Sequence, residues 1–176
     1  VEGQYSQCAD MPLNAARNGI IRTPFHLGDA DLSAFASVGC LTEYTVVQER
    51  SAIKIPDDIP LPEAALLGCG VFTGVGAVWN KAKVNPGSTV AVWGAGGVGL
   101  NVIQGCAISG ARTIICIDRV GEKAEFAKEF GATHSIDGSN ADAVATVLEL
   151  TDGIGVDYSF EAIGNAGAMS EAYPAI

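Results

Sequence analysis

Three groups of residues in this chain have types and spacings that could do chemistry. The first is Cys69, set between Gly68 and Gly70 in the stretch LLGCGVFTGVGAVW, Leu66 to Trp79. A small apolar residue would pack as well there and oxidise less, and an unpaired thiol in a reducing compartment is either buried or binds a metal. The plainer reading makes Cys69 a small buried hydrophobe. The second group is Gly94-x-Gly96-x-x-Gly99 in VAVWGAGGVGL, directly after an apolar run and directly before a helical one. In that setting the first glycine permits a tight turn and the second lets the backbone approach a pyrophosphate. The third lets the helix pack close to the strand, so that its N–H groups meet the phosphates. The third group is Asp118, nineteen residues past Gly99, where a dinucleotide fold needs an acid for the adenine ribose hydroxyls. A carboxylate there repels the extra phosphate of NADP by about 4 kcal/mol, for charges ~4 Å apart at an effective dielectric near 20. NAD is therefore expected. Arg119 dissents, because an arginine at this place can serve a 2′-phosphate; while Asp118 stands it is expected to be an exposed side chain pointing away from the ribose. S-adenosylmethionine methyltransferases share a glycine-rich first loop followed by an acid, so these two features alone leave that class open.

The elements that must position these residues are read from patterning. Val90 to Trp93 reads as a continuous apolar strand, followed by the glycine loop, a helix over Leu100–Ser109 and a strand over Thr113–Ile117. A second helix, Glu122 to Phe130, ends on Gly131 as a left-handed cap would. THSID is a third strand, ADAVATVLELTDG a third helix, and Val156 to Glu161 a fourth strand. Strands apolar throughout and alternating with helices predict a doubly wound parallel sheet, an α/β fold covered on both faces. Upstream, LTEYTVVQ (Leu41–Gln48) and SAIKIP (Ser51–Pro56) read as strands of a mostly β region. Pro62-Glu63 opens a short helix, VFTGVGAVWNKAKV reads as another, and Asn85-Pro86-Gly87 turns into the first strand of the sheet. The domains are expected to be 1–69 and 70–176. The chain begins at Val1 rather than Met and stops at MSEAYPAI within a helical pattern, so a fragment incomplete at both ends is expected.

Composition narrows the partners. With 176 residues, 48% apolar content and a formal net charge of −10, the chain can bury a real core and repels phosphate backbones and anionic bilayers. No nucleic acid or membrane partner is expected. No run approaches the roughly 20 consecutive apolar residues of a spanning helix, and the N-terminus lacks a secretory layout, so a cytoplasmic location is expected. Five scattered cysteines fit no disulfide framework. Cys40, Cys106 and Cys116 sit in apolar runs and read as core, Trp79 and Trp93 read as packing residues, and His26 and His134 are assigned no chemistry.

From Gly68 to Lys123, GCGVFTGVGAVWNKAKVNPGSTVAVWGAGGVGL…IDRVGEK resembles the zinc-dependent medium-chain alcohol dehydrogenases almost without a gap, with weaker similarity through DYSFEAIGNAGAM. The resemblance implies a Rossmann domain preceded by the end of a mostly β GroES-like catalytic domain. It implies Cys69 as a ligand of a catalytic zinc and Thr73 beside the nicotinamide. Gly94, Gly96, Gly97, Val98, Gly99 and Ile163 would then lie against the cofactor, with Asp118 and Lys123 on the adenosine ribose. Cys69 at a helix start would have its thiolate favoured by the positive helix end. In this family a structural zinc is held by C-x-x-C-x-x-C-x7-C; VEGQYSQC supplies seven residues and a cysteine, which would make Cys8 the last ligand. The implied activity is hydride transfer between an alcohol or aldehyde and NAD, with zinc as Lewis acid, in a homo-oligomer when full length. The other two catalytic zinc ligands would lie upstream of Val1. ADMPLNAARNG, just after Cys8, shows no clear match to the glutathione-dependent formaldehyde subgroup. Two alternatives stand beside the dehydrogenase: a non-catalytic NAD-binding module or truncated pseudoenzyme, and a zinc-free medium-chain reductase. Both leave Cys69 unexplained.

Overall fold

The computed structural model describes residues 25–32, 40, 42–47, 49 and 52–176. The chain divides into two compact units, Val1–Ile55 and Pro56–Ile176. In the first, β1 (Phe25–Leu27) and β2 (Ala30–Leu32) pair antiparallel around Gly28, whose φ of +60° suits a tight turn. Of the strands expected over 41–48 and 51–56, the described residues 42–47 and 52–56 carry no ladder, and nearly all are exposed. β-branched residues favour a strand where a partner and a half-buried face exist, and among the described residues this run has no partner strand. Cys40 accordingly is exposed rather than in a core.

The second unit opens with a single 22-residue helix, α1 (Leu61–Ala82), instead of the two helices expected. Pro62 sits in its first turn, as its missing N–H allows. Two stretches, Leu67–Val71 and Ala77–Ala82, are wound as π-helix, and the helix closes on Lys83 in a left-handed conformation with φ 54°. The boundary expected at 69/70 falls inside this helix. By length and composition alone α1 could cross a membrane; no unbroken apolar run marks it in the sequence because Pro62, Glu63, Asn80 and Lys81 interrupt it at both ends.

One face of α1 packs on α2 (Gly97–Ile108) at very short range. A Cβ on Gly74 would lie 2.5 Å from Asn101 Cβ and 2.6 Å from the Val98 carbonyl oxygen, and one on Gly105 would lie 3.1 Å from Val78. Absent side chains let the two backbones approach.

The sheet comprises β3 (Thr89–Trp93), β4 (Thr113–Asp118), β5 (His134–Asp137) and β6 (Tyr158–Glu161). Its order is β5-β4-β3-β6, with every pairing parallel and Trp93 opposite both Ile117 and Glu161. Alternate residues feed two cores, as a period of two demands. Val90, Val92, Ile114 and Cys116 pack with Ile103 and Cys106 of α2 and Val78 of α1. On the opposite face Ala91, Trp93, Ile115, Ile117 and Ile136 pack with Val147 and Ala172. Cys106 and Cys116 are fully buried, as expected, and burial pushes both thiols up to about 12.

Between strands, α3 (Gly121–Phe126) tightens into a 3-10 turn over Ala127–Phe130 and stops at Gly131, φ 107°. That is the left-handed stop read from the sequence. α4 (Ala143–Leu150) is capped by Asp142, which accepts the Ala145 N–H at 3.0 Å, and α5 (Ala166–Ala172) by Asn165. Asp142→Ala should lower stability by about 1 kcal/mol in urea unfolding, the usual worth of such a cap; an unchanged midpoint would mean that α4 is held by packing alone.

Candidate functional site

The C-terminal edge of the sheet is where the expected residues gather. Between β3 and β6 the chain departs in opposite directions, since α2 packs in one core and Ala172 of α5 in the other. Open α/β sheets bind ligands at such a switch point.

The turn from β3 to α2 carries the glycine loop. Gly94 has φ +103°, and a Cβ there would lie 2.7 Å from Ile163 Cγ1. Gly96 is the N-cap of α2 and offers no side-chain acceptor, and no acid stands in the first helical turn. A Cβ at Gly96 or Gly97 would meet nothing within 4 Å. The helix start therefore opens onto free space with its amide donors uncapped by side chains, which suits an anion. Gly99 is the reverse case: its Cβ would run into the carbonyl oxygen of Gly94 and lie 2.9 Å from the carbonyl carbon. Val98, half-buried, packs against the core under α2.

Asp118 ends β4 half-buried. Its Oδ2 accepts the Ala95 N–H at 2.8 Å and its Oδ1 accepts the Val120 N–H at 2.8 Å, so the acid is tied to the glycine loop itself. Beside it is a cleft of about 410 Å³, lined by Trp93, Ile117, Asp118, Arg119, Ile163 and Glu171 among others. Arg119 is exposed, as expected, and is among the residues that line the cleft alongside Asp118. Trp93 is buried, as expected for packing, and donates its Nε1–H to Ser159 Oγ at 3.1 Å. Trp79, also expected to pack, is half exposed and donates to Ser109 Oγ at 3.0 Å. Lys123 is exposed on α3, five residues beyond Asp118. His134 opens β5, its Nδ1 2.8 Å from Thr133 Oγ1, clear of the cleft lining.

Cys69 and Thr73 are both exposed on α1, one turn apart. A Cβ on Gly70 would lie 3.8 Å from Asn101 Nδ2 and 4.0 Å from the Gly97 carbonyl oxygen, so this part of α1 borders the start of α2 and its loop. The exposure removes the buried-hydrophobe reading of Cys69. It also corrects one expectation: Cys69 lies within a continuous helix, in the π-wound stretch Leu67–Val71, and not at a helix start, so no positive helix end favours its thiolate. Among the described residues no group of three or more His, Cys, Asp or Glu could hold a metal ion; Cys69 supplies one donor. Cys8 and the ADMPLNAARNG stretch lie outside the described residues.

The parallel sheet, glycine loop, uncapped helix start and acid at the next strand end define an α/β domain of the dinucleotide-binding class. The family model for zinc-binding dehydrogenases matches residues 97–176. Alcohol dehydrogenase class-3 of Pisum sativum is 48% identical over 140 residues, which cover 78% of this chain and 37% of the relative. The class-3 enzyme of Oryza sativa subsp. japonica is 44% identical over 153 residues, covering 86% of the chain and 40% of the relative. The crystal structure of benzyl alcohol dehydrogenase from Acinetobacter calcoaceticus superposes with a TM-score of 0.77 at 37% identity, covering 81% of this chain and 39% of that one. The chain belongs to the zinc-dependent medium-chain alcohol dehydrogenase family, and it spans about two fifths of the length of these relatives.

Proposed function

We propose that this chain is the cofactor-binding portion of an NAD-dependent, zinc-dependent alcohol dehydrogenase that moves hydride between an alcohol or aldehyde and NAD. The observation that carries the reading is the open cradle at Gly96 and Gly97, joined through Ala95 to Asp118. In this reading the first amides of α2 hold the pyrophosphate, Asp118 and Lys123 take the adenosine ribose, and Gly94 and Ile163 wall the groove where the strands part. Thr73 faces the nicotinamide side. When bound, NAD would supply a hydride acceptor in its nicotinamide, and zinc, held in part by Cys69, would supply a Lewis acid for the substrate oxygen.

Cys69 is proposed as one catalytic zinc ligand and Cys8 as a structural one. Residues 1–69 are assigned to the end of a GroES-like domain and 70–176 to the Rossmann domain, with α1 carrying the chain from one to the other. The net charge of −10 supports small-molecule partners over nucleic acid or anionic membrane, and a cytoplasmic homo-oligomer is proposed with it.

The test is Cys69→Ala in the intact gene product. Zinc content by plasma emission should fall and turnover across a panel of alcohols should drop more than about hundredfold, since losing a metal ligand costs more than losing its outer partners. NADH affinity should stay within about twofold, because no dinucleotide contact is removed. Turnover that survives the substitution would favour the zinc-free reductase. NADH binding without turnover in the unsubstituted protein would favour the binding module.

A further inference from the structure

Glu161 belongs to no motif, yet it holds the loop that closes one side of the groove. It is the last residue of β6, opposite Trp93, where β3 and β6 part. Its Oε1 accepts N–H groups from Ile163 at 2.8 Å, Gly164 at 2.7 Å and Asn165 at 3.4 Å. The loop is thus wrapped around one carboxylate oxygen. Gly164 turns through φ +78° to make this possible. The backbone of Ala162 is fixed in addition by its N–H donating to the Trp93 carbonyl at 2.9 Å. The side chain presented by this loop is Ile163, half exposed, with Cγ1 at the point 2.7 Å from a Cβ on Gly94, and it lines the cleft shared with Asp118.

The three bonds to Glu161 each span only a few residues, so their combined effect is local: they set where Ile163 stands. Three donors on one acceptor also spread the anion's charge into the backbone beside a groove that must admit phosphates. Removing the acceptor leaves those amides without a protein partner and frees the loop to swing Ile163 off the glycine turn.

We infer that Glu161 is a positioning residue for dinucleotide affinity, acting through Ile163; this rests on the reading of the glycine-loop groove as a dinucleotide site. The requirement is for the acceptor oxygen, not for the charge. Glutamine keeps a carbonyl oxygen at the same reach, while alanine does not.

The experiment measures NADH dissociation by fluorescence, together with turnover at saturating NAD, in the intact gene product. For Glu161→Ala the NADH dissociation constant should rise about tenfold, as expected when three backbone donors lose their common acceptor. The kcat at saturation should change less than about threefold, because the reacting groups are untouched. Glu161→Gln should stay within about twofold of the unsubstituted protein. Ile163→Ala should show a similar loss, and the double variant no further one, which is the signature of a shared effect. An alanine variant that binds NADH normally while melting lower would overturn the proposal, as would a glutamine variant as weak as alanine. Unsubstituted protein that fails to bind NADH would instead overturn the dinucleotide reading itself.

Discussion

Gly99→Ala should unfold the joint between β3 and α2 and abolish NADH binding together. The added methyl would collide with backbone, the carbonyl of Gly94, and backbone cannot rotate away as a side-chain tip can. Overpacking of this kind costs about 1–3 kcal/mol or more. Gly97→Ala supplies the contrast within the same loop. A Cβ at Gly97 meets nothing within 4 Å and enters the first turn of a helix, where alanine is favoured over glycine by up to about 1 kcal/mol. Its stability should hold or rise. If phosphates occupy the open space, NADH affinity should nevertheless fall, so the two readouts move in opposite directions. Urea unfolding and NADH titration of both variants check this. A Gly97→Ala protein that binds NADH unchanged would place the pyrophosphate elsewhere.

Asp118→Ala should weaken NAD about hundredfold and NADP far less. The carboxylate is expected to accept the ribose hydroxyls, each such bond to a charged group being worth about 1.5–3 kcal/mol, and its loss also removes repulsion toward a 2′-phosphate. Arg119, which lines the same cleft, is placed to favour the phosphate once the acid is gone. The variant carries a second defect, since the N–H groups of Ala95 and Val120 lose their acceptor. That part of the loss falls on both cofactors alike. The ratio of kcat/KM for NAD to that for NADP therefore isolates the ribose contribution, and an unchanged ratio would remove Asp118 from the ribose.

The second half of the chain is legible in sequence because its signals are local. The glycine loop, the apolar strands and the Gly131 stop each act within a few residues, and each appears where the spacing puts it. What escapes depends on partners distant in sequence. Gly74 looks like any small residue until Asn101 is brought against it. Glu161 escapes for another reason: its partners are near in sequence, but they are backbone amides that no residue type announces. Arg119 reads as pointing away from the ribose, and its place in the cleft depends on the loop after β6 and on α5, which supply the facing wall. The strands expected over 41–48 and 51–56 carry no ladder in their described residues, whose types suit a sheet that the described residues do not supply. Cys69 stands out by its flanking glycines, which hide the continuity of the helix around it.

The wide winding at Leu67–Val71 amounts to an insertion written into a helix. One residue inserted in this way rotates everything on its N-terminal side by about 100° relative to the C-terminal side, without moving either end of the rod far. Since α2 grips the C-terminal half of α1 through Gly74, that rotation decides which way the thiol of Cys69 faces. Deleting a single residue between Cys69 and Gly74 would return Leu67–Val71 to ordinary α-helical winding with the sulfur turned aside, a reorientation achieved with almost no change of composition.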